Sequence, residues 1–256
     1  MKKLFAVFIV FLVIVSGLSL NSVFAKNDKD ADIPETDGVY DVPGHPEMKV
    51  RVFVHKIKPG KPSPEPVLTC GLADPNFSAD VAWAGWKLPS SWTYNLNITS
   101  VPAAVGGTNL PAMTAAVFGE FIGAINNQVS VNRGLDTSRT SKALDGQNII
   151  TWGRASASAL AVTYIWYYSS TGEVVELDTI MNKKYAWDWS EQENCAYIGV
   201  YDAQNILTHE IGHWFGLNDH YTTDYVDATM YGYGAKTEVK KNTLTTGDVS
   251  GLQAIY

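Results

Sequence analysis

The sequence predicts an α+β domain of five strands and three helices. Two observations carry this. Segments in which apolar residues alternate with polar ones cluster between residues 92 and 180, and stretches with an apolar residue every three or four positions interrupt and follow them. With 256 residues, 46% of them apolar, the chain can fill one large core.

Trp92, Tyr94, Leu96 and Ile98 alternate as a first strand, closed off by Pro102. A long helix follows: Thr108 or Asn109 can cap it, Pro111 suits its first turn, and Met113, Val117, Phe121, Ile125 and Val129 line one face. A short second strand is expected within 129–137. After the turn Asp145-Gly146 come a third at Asn148–Trp152, a fourth at Leu160–Tyr168 and a fifth at Val174–Ile180. Asp202 can cap a second helix that Gly216 ends. Thr245-Thr246-Gly247-Asp248 has the spacing of a capping box and opens a closing helix with Val249, Leu252 and Ile255 on one face.

The first residues stand apart from this domain. Lys2 and Lys3 precede the apolar run Leu4–Val15, and Val23-Phe24-Ala25 forms a small-residue exit, so residues 1–25 read as a secretory signal. The run is short of the ~20 apolar residues a membrane span needs, which implies a chain secreted or kept at the cell surface, with no membrane partner after cleavage. Loss of Lys2 and Lys3 takes the net charge from −7 to −9, and an acidic chain without a basic run is a poor ligand for nucleic acid. Residues 26–80 are charged and proline-rich, a linker or a pro-segment, with a short strand possible at Met48–Ile57; the folded domain takes 81–256. Cys70 and Cys195, an even count in an oxidising compartment, are expected to form a disulfide, with two free thiols as the alternative.

The chemistry concentrates in His209-Glu210-Ile211-Gly212-His213. Histidines four apart on a helix share one face, one turn above each other, the placement two imidazoles need to hold one zinc ion. Glu210 beside them can take a proton from a water at the metal, so one helical turn holds a Lewis-acid site and a general base. The reversal at Gly216 lets a third ligand, Asp219 or His220, return to the same ion.

His209-Glu210-x-x-His213-x-x-Gly216-x-x-Asp219, followed by Thr229-Met230-Tyr231-Gly232, resembles the extended zinc signature and methionine turn of the metzincin metallopeptidases. The closing helix and Asp145-Gly-Gln-Asn-Ile-Ile-Thr-Trp152 are similar to the matrixin branch in its microbial secreted form, and an aspartate as third ligand is similar to the small peptidases typified by snapalysin. The resemblance implies a mixed, twisted five-stranded sheet and a monomeric, secreted zinc endopeptidase acting on protein or peptide. It implies one catalytic zinc held by His209, His213 and Asp219, a zinc-bound water, Glu210 as general base and Met230 as a floor beneath the metal. It further implies that the substrate adds as a strand to an exposed edge at Leu160–Tyr164. Cys70-Gly71-Leu72-Ala73-Asp74 is also similar to the cysteine-switch segment of matrixin pro-peptides, a rival role for Cys70. Glu176, Asp178 and Asp188 could bind Ca2+, although scattered carboxylates are more often solvated. The alternative function is a zinc-bearing surface or adhesion module without turnover; an intact Glu210 argues against it.

Overall fold

The computed structural model describes residues 33–58, 66–192 and 194–256, so the signal segment 1–25 lies outside it. The fold is α+β. Its centre is an eight-stranded mixed sheet in which β1 (Gly38–Val42), β2 (His45–Ile57), β7 (Ala159–Tyr168), β8 (Val174–Asn182), β6 (Ile149–Gly153), β4 (Ser91–Leu96) and β5 (Ser130–Arg133) lie side by side in that order; β12 (Tyr233–Gly234) also pairs with β2. Short two-stranded pairs join β3 (Leu68–Cys70) to β10 (Cys195–Tyr197) and β9 (Trp187–Asp188) to β11 (Tyr201–Asp202).

The five expected strands are all present, as β4 to β8. The sheet is wider than expected because the hairpin β1–β2, turned at Gly44 in the left-handed conformation (φ 82°), joins it along β7. The pairing is antiparallel and runs from Met48 opposite Tyr168 to Lys56 opposite Ala159. Alternation explains it. Val50, Val52 and Val54 pack with Val162, Tyr164, Trp166 and Ile180 on one face of the sheet, while Phe53 enters the main core on the other. A strand buried on both faces is a central strand, and β7 therefore has no free edge: the expected exposed edge at Leu160–Tyr164 is taken by β2 on one side and β8 on the other.

Three helices cover the face opposite the valines. In α1 (Leu110–Ala124) Met113, Val117 and Phe121 are buried as the period predicts. The helix stops short of Val129 because Asn126 (φ 53°) and Asn127 (φ 61°) turn left-handed, a conformation asparagine tolerates better than most side chains. In α2 (Ala203–Trp214) the Asp202 carboxylate accepts the Asn205 N–H at 2.8 Å. α3 (Thr246–Ile255) opens with the predicted capping box of Thr245 and Asp248. Phe121 stacks on Phe215 at 5.0 Å and Tyr256 lies 6.2 Å from the same ring, so one aromatic just past α2 ties all three helices together. Among the described residues no helix is long and apolar enough to cross a membrane.

Cys70 and Cys195 are bonded to each other where β3 pairs with β10, which leaves Cys70 no thiol for a switch. The bond closes a separation of 125 residues. Cys195→Ser is expected to lower the unfolding free energy by about 2–4 kcal/mol in a denaturant titration. The unreduced, unfolded chain should give no reaction with a thiol reagent.

Candidate active site

α2 is the frame of the site. Its first turn is fixed by Asp202, and its last by Gly216 (φ 92°), where a Cβ would collide with the Trp86 carbonyl. Trp86 in turn donates its indole N–H to the His213 carbonyl at 2.9 Å, satisfying a helix-end acceptor. Gly212 lies so close to Met230 that a Cβ there would run into its sulfur, so the methionine packs directly beneath the helix turn bearing the histidines. Thr229, one residue earlier, donates its N–H to Asp248 in the cap of α3 at 3.2 Å, which couples this segment to the closing helix.

His209 and His213 are buried side by side, ring centroids 4.8 Å apart. His209 Nδ1 lies 2.8 Å from the Thr229 carbonyl and His213 Nδ1 lies 2.9 Å from the Leu217 carbonyl. A carbonyl only accepts, so both Nδ1 atoms carry hydrogen and both Nε2 atoms present a bare lone pair. Those lone pairs face Asp219 Oδ1, at 3.1 Å from His209 and 3.6 Å from His213. All three atoms are buried without a hydrogen-bond partner. Three buried acceptors converging on one point need a cation. Their separations match the edge of a tetrahedron with metal–ligand bonds of about 2.0–2.1 Å, so this donor set fits zinc.

Asp219 is held from behind. Its Oδ2 accepts the Tyr221 hydroxyl at 2.8 Å, and that hydroxyl also lies 3.1 Å from Asp37. Burial pushes the Asp219 carboxyl up, but His213, His209 and the Tyr221 hydroxyl outweigh it and hold it below the usual carboxylate range. His220 points elsewhere: its Nε2 accepts the Ala82 N–H at 3.2 Å and its ring stacks on Tyr225 at 3.8 Å.

Glu210 is fully buried, and burial pushes its pKa up to about 8 against the pull of a 2.6 Å hydrogen bond from Thr163 to Oε2. Its other oxygen, Oε1, meets His55 Nδ1 at 3.1 Å. His55 comes from β2, as does Phe53, whose ring stacks flat on His213 at 3.7 Å. Beyond His55 lies Lys241, fully buried. Sequence reasoning missed His55, Lys241, Thr163 and Tyr221 as members of this site. A trace of the first was available, since Arg51, Phe53 and His55 fall on the face of the strand opposite the valines; nothing local marks Lys241.

Two of the three carboxylates considered for calcium, Glu176 and Asp178, do other work. Glu176 accepts the N–H groups of Asp145 and Gly146, and Asp178 those of Ala143 and Ile149. Both are buried rather than solvated, and they hold the 143–149 turn against the sheet, which gives calcium no support.

The matrixin family model matches residues 157–256. That stretch runs from β7 through α3 and contains the whole His-Glu-His motif, Asp219 and Met230. The match supports a zinc-dependent metallopeptidase of metzincin type, with peptides as substrates. No curated protein matches the chain.

The matrixin-like site separates the two aspirants to the third ligand position by experiment. Asp219→Ala is expected to weaken zinc binding at least about a hundredfold in competition with a chromogenic chelator, while His220→Ala retains one zinc per chain by elemental analysis.

Proposed function

We propose that this chain is a secreted zinc endopeptidase, with His209, His213 and Asp219 as metal ligands and Glu210 as general base. The observation that carries the reading is the convergence of three buried, unpartnered acceptor atoms one helical turn from a carboxylate. Zinc, when bound there, supplies a Lewis acid that acidifies water and polarises the scissile carbonyl. Glu210 takes the proton from the attacking water and returns it to the leaving amine. Thr163 fixes one carboxylate oxygen so that the other is aimed at the reacting centre. Tyr221 orients Asp219 in the same way.

β2 adds a second part to the proposal. It lies antiparallel on β7, where an extended peptide would add by strand pairing, and it sets His55 on the free oxygen of Glu210 and Phe53 over His213. The His55 imidazole stands beside Oε1, where the water that gives up its proton would have to sit. The segment preceding Ile57 is thus a pro-segment that fills the cleft as a substrate would, and the enzyme works once that strand has left.

Zinc-loaded chain lacking residues 1–57 is expected to hydrolyse casein at least about tenfold faster than the full-length chain. Chelation should stop it, and added zinc should restore it. Glu210→Ala is expected to lower the rate by about 10³-fold or more with its zinc content unchanged. Absence of zinc-dependent cleavage in the shortened, metal-loaded form would sink the hydrolase reading.

A further inference from the structure

β2 shows what the cleft does with a side chain beside Glu210. The His55 ring passes the carboxylate, its centroid 4.0 Å from that of His209, and ends with Nε2 3.0 Å from Lys241 Nζ. The slot it fills has apolar walls. A Cβ on Gly234 would lie 2.7 Å from Leu160 Cδ1, 2.7 Å from Ile206 Cδ1 and 3.0 Å from His55 Nε2, so the missing side chain of Gly234 is part of the slot's width. The far end is a cation. Lys241 spends two of its three N–H donors on the carbonyls of Tyr231 (2.5 Å) and Tyr233 (3.0 Å), and the third points into the slot at His55. Its backbone is pinned to α2 through the Asn205 side chain at 2.8 Å, so the ammonium is fixed relative to the metal-binding histidines.

An ammonium donates and never accepts, so His55 Nε2 is the acceptor and Nδ1–H donates to Glu210. When β2 leaves, one donor of a buried cation loses its partner, and whatever enters the slot must replace it. An aliphatic side chain would strand that donor, and a basic one would bring a second positive charge into a dry site. A carboxylate pairs with it through a charge-assisted bond. Glutamate carries its carboxylate oxygens as many bonds from Cα as histidine carries Nε2, with methylenes in the stretch that passes Glu210; aspartate falls one bond short.

We propose that Lys241 is the specificity-determining residue of this peptidase: the slot that His55 fills in β2 takes a glutamate side chain of the substrate, at one fixed position flanking the scissile bond. The inference rests on the hydrolase reading above and names its substrate class, peptides with glutamate beside the cleaved bond.

Two measurements test it. In the first, the zinc-loaded full-length chain digests a peptide library derived from a whole proteome, over a time long enough for slow or self-processed activity to register, and the new termini are read by mass spectrometry. Glutamate should be enriched over leucine at least about tenfold at one flanking position. In Lys241→Met the enrichment should vanish and cuts should move to apolar residues. An unchanged profile in Lys241→Met, or leucine preferred by the parent chain, overturns the proposal. The second needs no turnover: thermal unfolding of the full-length chain carrying His55→Glu or His55→Leu, each with and without Lys241→Met. With Lys241 present the glutamate variant should melt higher than the leucine variant, and with Lys241→Met the order should reverse. The same order in both backgrounds rejects a carboxylate slot. An uncut library means that β2 has kept the full-length chain latent, and the order of melting then decides the slot's chemistry on its own.

Discussion

Two hydrogen bonds to backbone carbonyls organise the site. By accepting from His209 Nδ1 and His213 Nδ1, the carbonyls of Thr229 and Leu217 fix both imidazoles in one tautomer and turn their free lone pairs toward Asp219. Everything around them serves to keep those carbonyls in place. Leu217 follows the left-handed turn at Gly216, which only a residue without a Cβ can make under Trp86. Thr229 is held by Asp248, which caps α3. A cluster that would be costly when empty is therefore held by elements far apart in sequence, whose own packing is apolar and needs no metal.

The wider sheet follows from the same economy of burial. β7 and β8 are buried along nearly their whole length, and an uncovered β7 would leave a row of backbone donors and acceptors beside an apolar face. β2 covers it with a ladder of its own and offers a different side chain to each face: valines toward the smaller core, and Arg51, Phe53 and His55 toward α2. Aromatic stacking on His213 and the paired His55 make this more than a passive cover, because the same groups that catalysis would use are the groups β2 satisfies.

Much of this was legible in the residues. Periodicity gave the five strands β4 to β8, and local hydrogen-bond chemistry gave the caps at Asp202 and Thr245, because each depends on neighbours in sequence. The spacing from His209 to Asp219 picked out the residues that the fold brings together. The partners that come from elsewhere were silent. Lys241 meets His55 across a separation of 186 residues, and Thr163 reaches Glu210 from a strand 47 residues away. Composition and period pulled apart within 26–80: prolines and charges suggested a linker or pro-segment, while the alternating valines marked a possible strand at Met48–Ile57, and β2 forms there, one strand in from the edge of the sheet. The end of α1 was misjudged for a smaller reason, since two asparagines can leave the helical conformation where the apolar period alone would continue.

Because β2 and the groove it fills belong to one chain, occupancy is independent of how much protein is present. A tethered strand acts at an effective concentration on the order of millimolar, set by the connection and not by the solution, so a free peptide must outcompete it at that level. A break in the backbone beyond Ile57 changes the order of the reaction. The strand then becomes a separate ligand whose rebinding is bimolecular, and its occupancy falls as the shortened chain is diluted. For a cut before Cys70, the disulfide pins the new N-terminal arm of the shortened chain against β10. If the chain is secreted as proposed, dilution into a large extracellular volume would complete, without further chemistry, what a single cut begins.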